Sequence, residues 1–284
     1  MDVLTTPADM RAWSADRRRR GSVGMVPTMG ALHDGHLALV ADARGRADAV
    51  VVSIFVNPMQ FNRTDDFDRY PRPIDEDLAM CREAGVDAVY APTAAAMYPP
   101  GFDTAVEPGD IAERWEGAGR PGHFRGVTTV VAKLFAAARP DLAVFGRKDF
   151  QQLAVIRRMV TDLDLGVQIV GHETVREADG LAMSSRNRRL DPHQRAAAGV
   201  VPASISAMAR CFADGIHSAE ILEAAGAEVV AGEPTARLEY LRIVDPDTLE
   251  PRERADADST VIAAIWFGEI RLIDNLRLGD GPIR

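Results

Sequence analysis

The sequence predicts an α/β fold: a Rossmann-type parallel-sheet domain followed by a smaller α+β domain. Up to about residue 170, short apolar runs alternate with helical patterns. The apolar runs are near-continuous rather than alternating, as strands covered on both faces require. After about residue 175 the rhythm changes to helices followed by adjacent strand-like runs, which marks a separate α+β unit. The boundary is placed at 174/175, giving domains 1–174 and 175–284.

Each element has a local reason. Thr6-Pro7 reads as an N-cap and a first-turn proline opening a helix. Strands are expected at 22–27, 50–56, 88–91, 142–145 and 167–170. Helical patterns lie between them at 36–45, 73–84, 124–138 and 149–162, giving βαβ units. Residues 98–121, rich in Pro and Gly, form an irregular excursion. In the second domain Glu177-Ala178-Asp179-Gly180 is a turn, followed by the polar loop Ser184-Ser185-Arg186-Asn187-Arg188-Arg189. Helices are expected at 193–213 and 218–231, and strands at 237–244, 260–267 and 270–276.

Composition narrows the class. The chain is 46% apolar and 26% charged, ordinary for a globular protein. Its net charge of −9 argues against a general nucleic-acid or membrane-surface binder. The run Arg17-Arg18-Arg19-Arg20 reads as a solvated helix end. Cys81 and Cys211 lie far apart and no CxxC occurs, so neither a disulfide framework nor a zinc ribbon is expected. No signal peptide and no membrane span are expected, and a cytoplasmic location is the default.

The chemistry concentrates in Pro27-Thr28-Met29-Gly30-Ala31-Leu32-His33-Asp34-Gly35-His36. A strand that breaks at Pro and Gly and then opens a helix offers backbone N–H groups and the positive helix end to an anion. Two imidazoles there can donate to phosphate oxygens as charge builds. Gly146-Arg147-Lys148-Asp149 follows another strand, where ligands of open parallel sheets bind. Lys148 can reach phosphate as a point charge, Asp149 can cap the next helix, and Gln152 lies one turn on. Met183-Ser184-Ser185-Arg186 can act as a mobile phosphate clamp, or be only a polar linker. Asn57 and Gln60 end a buried strand, where they can meet a small substrate or merely satisfy loop backbone. Asp75-Glu76-Asp77 is an acidic helix start, with Glu76 and Asp77 as the minority reading of a peripheral Mg²⁺ contact. No GxGxxG follows a strand, which disfavours a dinucleotide oxidoreductase.

Taken together, VPTMGALHDGH, SIFVNPMQF, RPGHFRGV, GRKDFQQ, DGLAMSSRN and the tail RLIDN resemble, in order and over almost the whole chain, the pantothenate synthetase family. One departure is Arg147, where that family often carries Glu or Gln. The resemblance implies a cytidylyltransferase-like fold and a homodimer. It also implies ATP-dependent joining of pantoate to β-alanine through pantoyl adenylate, with Mg²⁺ accompanying ATP and no tightly bound organic cofactor. By motif it implies His33 and His36 on the phosphates, with Lys148, Ser184, Ser185 and Arg186 steadying the pentacoordinate phosphorus. The ATP site would draw on Met29, Gly30, Ala31, Leu32, Asp34, Gly35, Gly146, Arg147, Asp149, Val175 and Met183. Pantoate and β-alanine would meet Asn57, Gln60, His123, Val130, Val131 and Gln152. Residues 175–189 would act as a lid. A nucleotidyltransferase that stops at a nucleotide product, such as a phosphopantetheine adenylyltransferase, is the nearest rival. The paired glutamines and the long C-terminal domain disfavour it.

Overall fold

The structure is a computed structural model and describes residues 1–62 and 67–283. These residues form two compact units, 1–146 with 151–172, and 147–150 with 173–284.

The first unit is built on six parallel strands in the order β1-β4-β3-β2-β5-β6. They are β1 (Asp2–Leu4), β2 (Val23–Thr28), β3 (Ala49–Ile54), β4 (Ala88–Tyr90), β5 (Leu142–Gly146) and β6 (Gln168–His172). The central pair β2 and β3 runs in register from Val23 opposite Ala49 to Thr28 opposite Ile54. β3 is buried at every position, which explains its unbroken apolar run. The longer helices among the described residues are α1 (Pro7–Arg17), α2 (Asp34–Arg44), α3 (Ile74–Glu83), α4 (His123–Ala138) and α5 (Phe150–Asp162). Two apolar clusters form, one holding Met25, Tyr90, Phe124 and Ile156, the other Val26, Leu39, Val52 and Cys81. Chain order reverses between β2 and β5, the place where open sheets of this type leave a crevice at their carboxyl ends.

Thr6 caps α1 as expected, accepting from the Asp9 amide with Pro7 in the first turn. The short edge strand β1 was not anticipated, because three residues show no periodicity. The excursion at 98–121 holds only a 3₁₀ turn at Asp110–Ala112 and one helical turn at Glu116–Gly119.

The second unit has an antiparallel sheet, β7 (Ala236–Val244), β8 (Thr260–Phe267) and β9 (Ile270–Arg277), in that order. The helix expected over 193–213 is instead two, α6 (Pro192–Ala197) and α7 (Val200–Ala213). Pro202 has no N–H to give the Ala198 carbonyl, so the helical ladder breaks there. This 22-residue stretch is long and apolar enough to cross a membrane. Yet Val201, Ile205, Met208 and Ala209 are buried, and the last three share a core cluster with Leu241, Ile243 and Val261. α8 (Ala219–Ala231) completes the unit.

Candidate active site

In the first unit the chain leaves β2 through a turn that only particular residues permit. Gly30 has φ +82°, and a Cβ there would meet Asp77 Oδ2 at 2.8 Å and Ile54 at 3.0 Å. Ala31 follows at φ 51°, a left-handed conformation that a non-glycine residue keeps only when held. Asp77, on α3 and 1% exposed, does the holding. Its two carboxylate oxygens accept from the amides of Ala31 (2.9 Å) and Leu32 (2.7 Å). Burial pushes the Asp77 carboxyl up, against the pull of those two amides.

His33 then caps α2. Its Nδ1 accepts from the Gly35 amide (3.1 Å), and His36 Nδ1 accepts from the His33 amide (3.3 Å). The two rings lie 4.1 Å apart. A neutral imidazole whose Nδ1 accepts carries its proton on Nε2, which makes Nε2 the donor atom of each ring. Asp34 is exposed in the first turn of the helix. Backbone amides at a helix start beside two imidazole donors make a site for an anion.

Beyond β3 the loop holding Asn57 and Gln60 folds onto α4. Gln60 donates from Nε2 to Met29 Sδ (3.0 Å), joining the two loops. Asn57 donates from Nδ2 to Gln60 Oε1 and to the Gly126 carbonyl, each at 3.0 Å. Its Oδ1 accepts from Tyr98 (2.7 Å) and from the Met59 amide (3.2 Å). Asn57 is wholly buried and these bonds tie it into the loop. His123 is buried beside the same loop. Its Nδ1 lies 2.9 Å from the Gln60 carbonyl oxygen and its Nε2 3.1 Å from Arg120. Val130 and Val131 are core residues of α4. Gln152 is half-buried in the first turn of α5. Its neighbour Gln151 is buried and ties down the excursion, accepting from Glu116 and donating to the carbonyls of Ile111 and Arg114.

The acidic helix start has its side chains placed as follows. Both oxygens of Asp77 are occupied by amides, and Glu76 is exposed. No group of three His, Cys, Asp or Glu suited to a metal gathers among the described residues.

The second unit gathers the cationic residues. Lys148, Ser184, Arg186, Asn187 and Arg271 line a small cleft. Arg271 is held on Glu239 by two bonds (2.8 and 3.0 Å). Lys148 Nζ lies 3.8 Å from the exposed Asp149, and Arg147 pairs with Glu173 at 2.5 Å. Ser184 caps a 3₁₀ turn at Ser185–Arg189, its Oγ accepting from the Arg186 amide. The Met183 amide donates to the Val175 carbonyl. Asn187 donates to Glu177 and the Ala182 carbonyl, while its buried Oδ1 has no partner among the described residues. An orphaned acceptor among cations and hydroxyls is what a polar ligand would complete.

Sequence reasoning assigned no role to Tyr98, Gln151 or Asn275; the tail motif RLIDN marks the last of these, but says nothing of its partners. The Lys148 turn rests on β9, where Asn275 donates from Nδ2 to the carbonyls of Arg147 (2.8 Å) and Lys148 (2.9 Å).

Comparisons with known proteins bear on the family. The family model for pantoate-beta-alanine ligase matches residues 2–277. A pantothenate synthetase of Citrifermentans bemidjiense is 48% identical over 280 residues, covering 99% of this chain and all of the relative. The crystal structure of pantothenate synthetase from Thermus thermophilus superposes with a TM-score of 0.93 at 48% identity, covering 98% of this chain and 99% of the other. A pantoate-beta-alanine ligase from Francisella tularensis, solved in complex with beta-gamma ATP and beta-alanine, gives 0.80 at 30% identity with 99% of each chain covered. A match of this extent, over a chain with the HxGH turn and the Lys148 cleft, means that the chain belongs to the pantoate–beta-alanine ligase family.

Proposed function

We propose that the chain joins pantoate to β-alanine in two steps driven by ATP. A pantoate carboxylate oxygen bonds to the α-phosphorus and pyrophosphate leaves, giving pantoyl adenylate. The β-alanine amine then attacks the acyl carbon, loses a proton, and expels AMP. A carboxylate is a poor acyl donor, and adenylation converts its oxygen into part of a good leaving group. No covalent enzyme intermediate is needed, so catalysis is positioning and charge stabilisation.

The observation that carries this reading is the pair His33 and His36, each with Nδ1 on a backbone amide at the start of α2. That arrangement supports Nε2–H donation to phosphate oxygens, with His36 as the proton-donating member. In the second unit Lys148 and Arg186, with Ser184 and Ser185, offset the charge of the pyrophosphate group as it departs. Met29, Gly30, Ala31, Leu32, Asp34, Gly35 and Gly146 line the nucleotide site in the first unit. Arg147, Asp149, Val175 and Met183 do so in the second. Gln60 and Gln152 hold the hydroxyls and carboxylate of pantoate. Asn57, His123, Val130 and Val131 shape that pocket from behind. Mg²⁺ enters with ATP and lowers the charge of its phosphates; Asp77 and Glu76 do not fit as its ligands, and no step is assigned to it. A homodimer in the cytoplasm completes the reading, and sedimentation of the purified chain tests the dimer.

The decisive experiment mixes the purified chain with ATP, Mg²⁺, pantoate and β-alanine. AMP should form only with pantoate present, and faster with β-alanine. AMP appearing equally without pantoate would sink the reading.

A further inference from the structure

The chemistry assigned above leaves the tail motif Arg271-Leu272-Ile273-Asp274-Asn275 without a role. Its last two residues are nearly inaccessible, Asp274 at 2% and Asn275 at 8% exposed, although both are polar. Buried polar side chains persist where their bonds are satisfied, so the partners say what the residues are for.

Asn275 uses its amide nitrogen on two successive carbonyls, those of Arg147 and Lys148. Both hydrogens of the amide are thereby spent on one turn, the one between β5 and α5. Asn275 is itself fixed by Asp274, whose Oδ1 accepts the Asn275 amide at 2.8 Å. Arg176 grips Asp274 with both terminal nitrogens (2.7 and 3.0 Å) and also donates to the Gly180 carbonyl. Asp274 is wholly buried as a side chain, so this bidentate pair is rigid as well as strong. The chain segment 147–150 accordingly belongs to the second unit although β5 and α5 on either side belong to the first.

We propose that Asn275 is a positioning residue for Lys148: it clamps the backbone of the lysine turn and so fixes where the ammonium group stands. The proposal rests on the reading of Lys148 as a phosphate-binding cation. A lysine is a point charge on a flexible four-carbon stem, so its backbone anchor limits how far its charge wanders. A displacement of about 1 Å can cost on the order of 10²-fold in rate. Arg176 and Asp274 form the support behind the clamp.

The test uses the full chain and its variants Asn275→Ala, Asn275→Asp, Asn275→Gln, Lys148→Ala and the double variant Asn275→Ala with Lys148→Ala. Asn275→Asp keeps the shape but puts an acceptor against two carbonyls, so it should be at least as harmful as Asn275→Ala. Each single Asn275 variant should lower kcat at least tenfold. Hydrogen exchange of a peptide covering 147–150 should quicken while that of β8 stays as in the parent chain. In the Lys148→Ala background, Asn275→Ala should cost less than twofold, since the group it positions is gone. Asn275→Gln, which keeps the amide one methylene farther out, should recover part of the rate. If Asn275→Ala does not fold, Asn275→Ser, with a shorter donor, takes its place in the cycle. Equal fold losses with and without Lys148, or unchanged exchange at 147–150, would overturn the positioning role. Normal turnover in Lys148→Ala would overturn the lysine reading as well, whereas an inactive Lys148→Ala beside a fully active Asn275→Ala overturns the clamp alone.

Discussion

Gly126 shows how one residue sets the loop that carries Asn57 and Gln60. Inside an exposed helix, glycine is worth roughly 1 kcal/mol less than alanine. Here the sign reverses, because a Cβ at 126 would stand 2.4 Å from the Met59 carbonyl oxygen and 2.7 Å from the Gln60 amide nitrogen. Those atoms are backbone and cannot swing aside. The missing side chain lets the loop lie against α4, where Asn57 reaches the Gly126 carbonyl. Gly126→Ala should therefore destabilise by about 1–3 kcal/mol, as overpacking does. For a chain of this size that is a fall in Tm of about 2–4 °C per kcal/mol, read by calorimetry. Pantoate affinity should fall with it, since Gln60 is displaced. A variant as stable as the parent would mean that the loop has room the close approach denies.

At the scale of the element, α2 joins folding and chemistry in one side chain. His33 is the N-cap through Nδ1 and offers a donor through Nε2. Asparagine places an acceptor where Nδ1 sits and is among the best N-caps, but brings no donor to the Nε2 position. His33→Asn should keep the thermal stability of the parent while turnover falls by roughly 10²–10³. His33→Ala should lose both, with about 1 kcal/mol from the cap. If His33→Asn turns over normally, His33 is a cap and nothing more. The same element explains what could be read without a structure. Its strand-break-helix grammar, Val23–Thr28 then Asp34–Arg44, is written in residues with strong local preferences. The break at Ala198–Gly199, just ahead of Pro202, and the edge strand at Asp2–Leu4 are harder to see, the first hidden in an apolar run and the second too short for a period. Asn57, His123 and Asp77 were visible as polar residues near the site. Whether a polar group faces a ligand or a backbone amide depends on contacts distant in sequence, such as Asp77 on Ala31, and residue type does not encode them.

Across the whole molecule, acid should act unequally on the two units. In the second, burial alone would push the Asp245 carboxyl up, but Arg252 and the amides of Thr248 and Asp247 hold it down at about 2. The unfolded value is near 3.8, so its contribution is complete above that pH and is lost as pH falls from there toward 2. With solvent screening this is about 1 kcal/mol. Asp179, held down by Arg195, Asp256, held down by Ser259, and Glu239, where Arg271 outweighs burial, add in the same direction. The first unit has Asp42, where Arg46 and His172 outweigh burial, and Asp48, held down by Ser22. Asp77 and Glu223, one in each unit, are pushed up by burial and so gain stability as acid neutralises them. The second unit thus has more to lose on the way down, and it should open at a higher pH than the first. Trp266 lies on β8 beside Glu239, while Trp13 and Trp115 lie in the first unit. With Trp13→Phe and Trp115→Phe in place, Trp266 fluorescence during an acid titration reports the second unit alone. Its transition should precede the acid-induced rise in hydrogen exchange of β3. If β3 opens first, or the two changes coincide, the carboxylate clamps of the second unit do not set the acid limit.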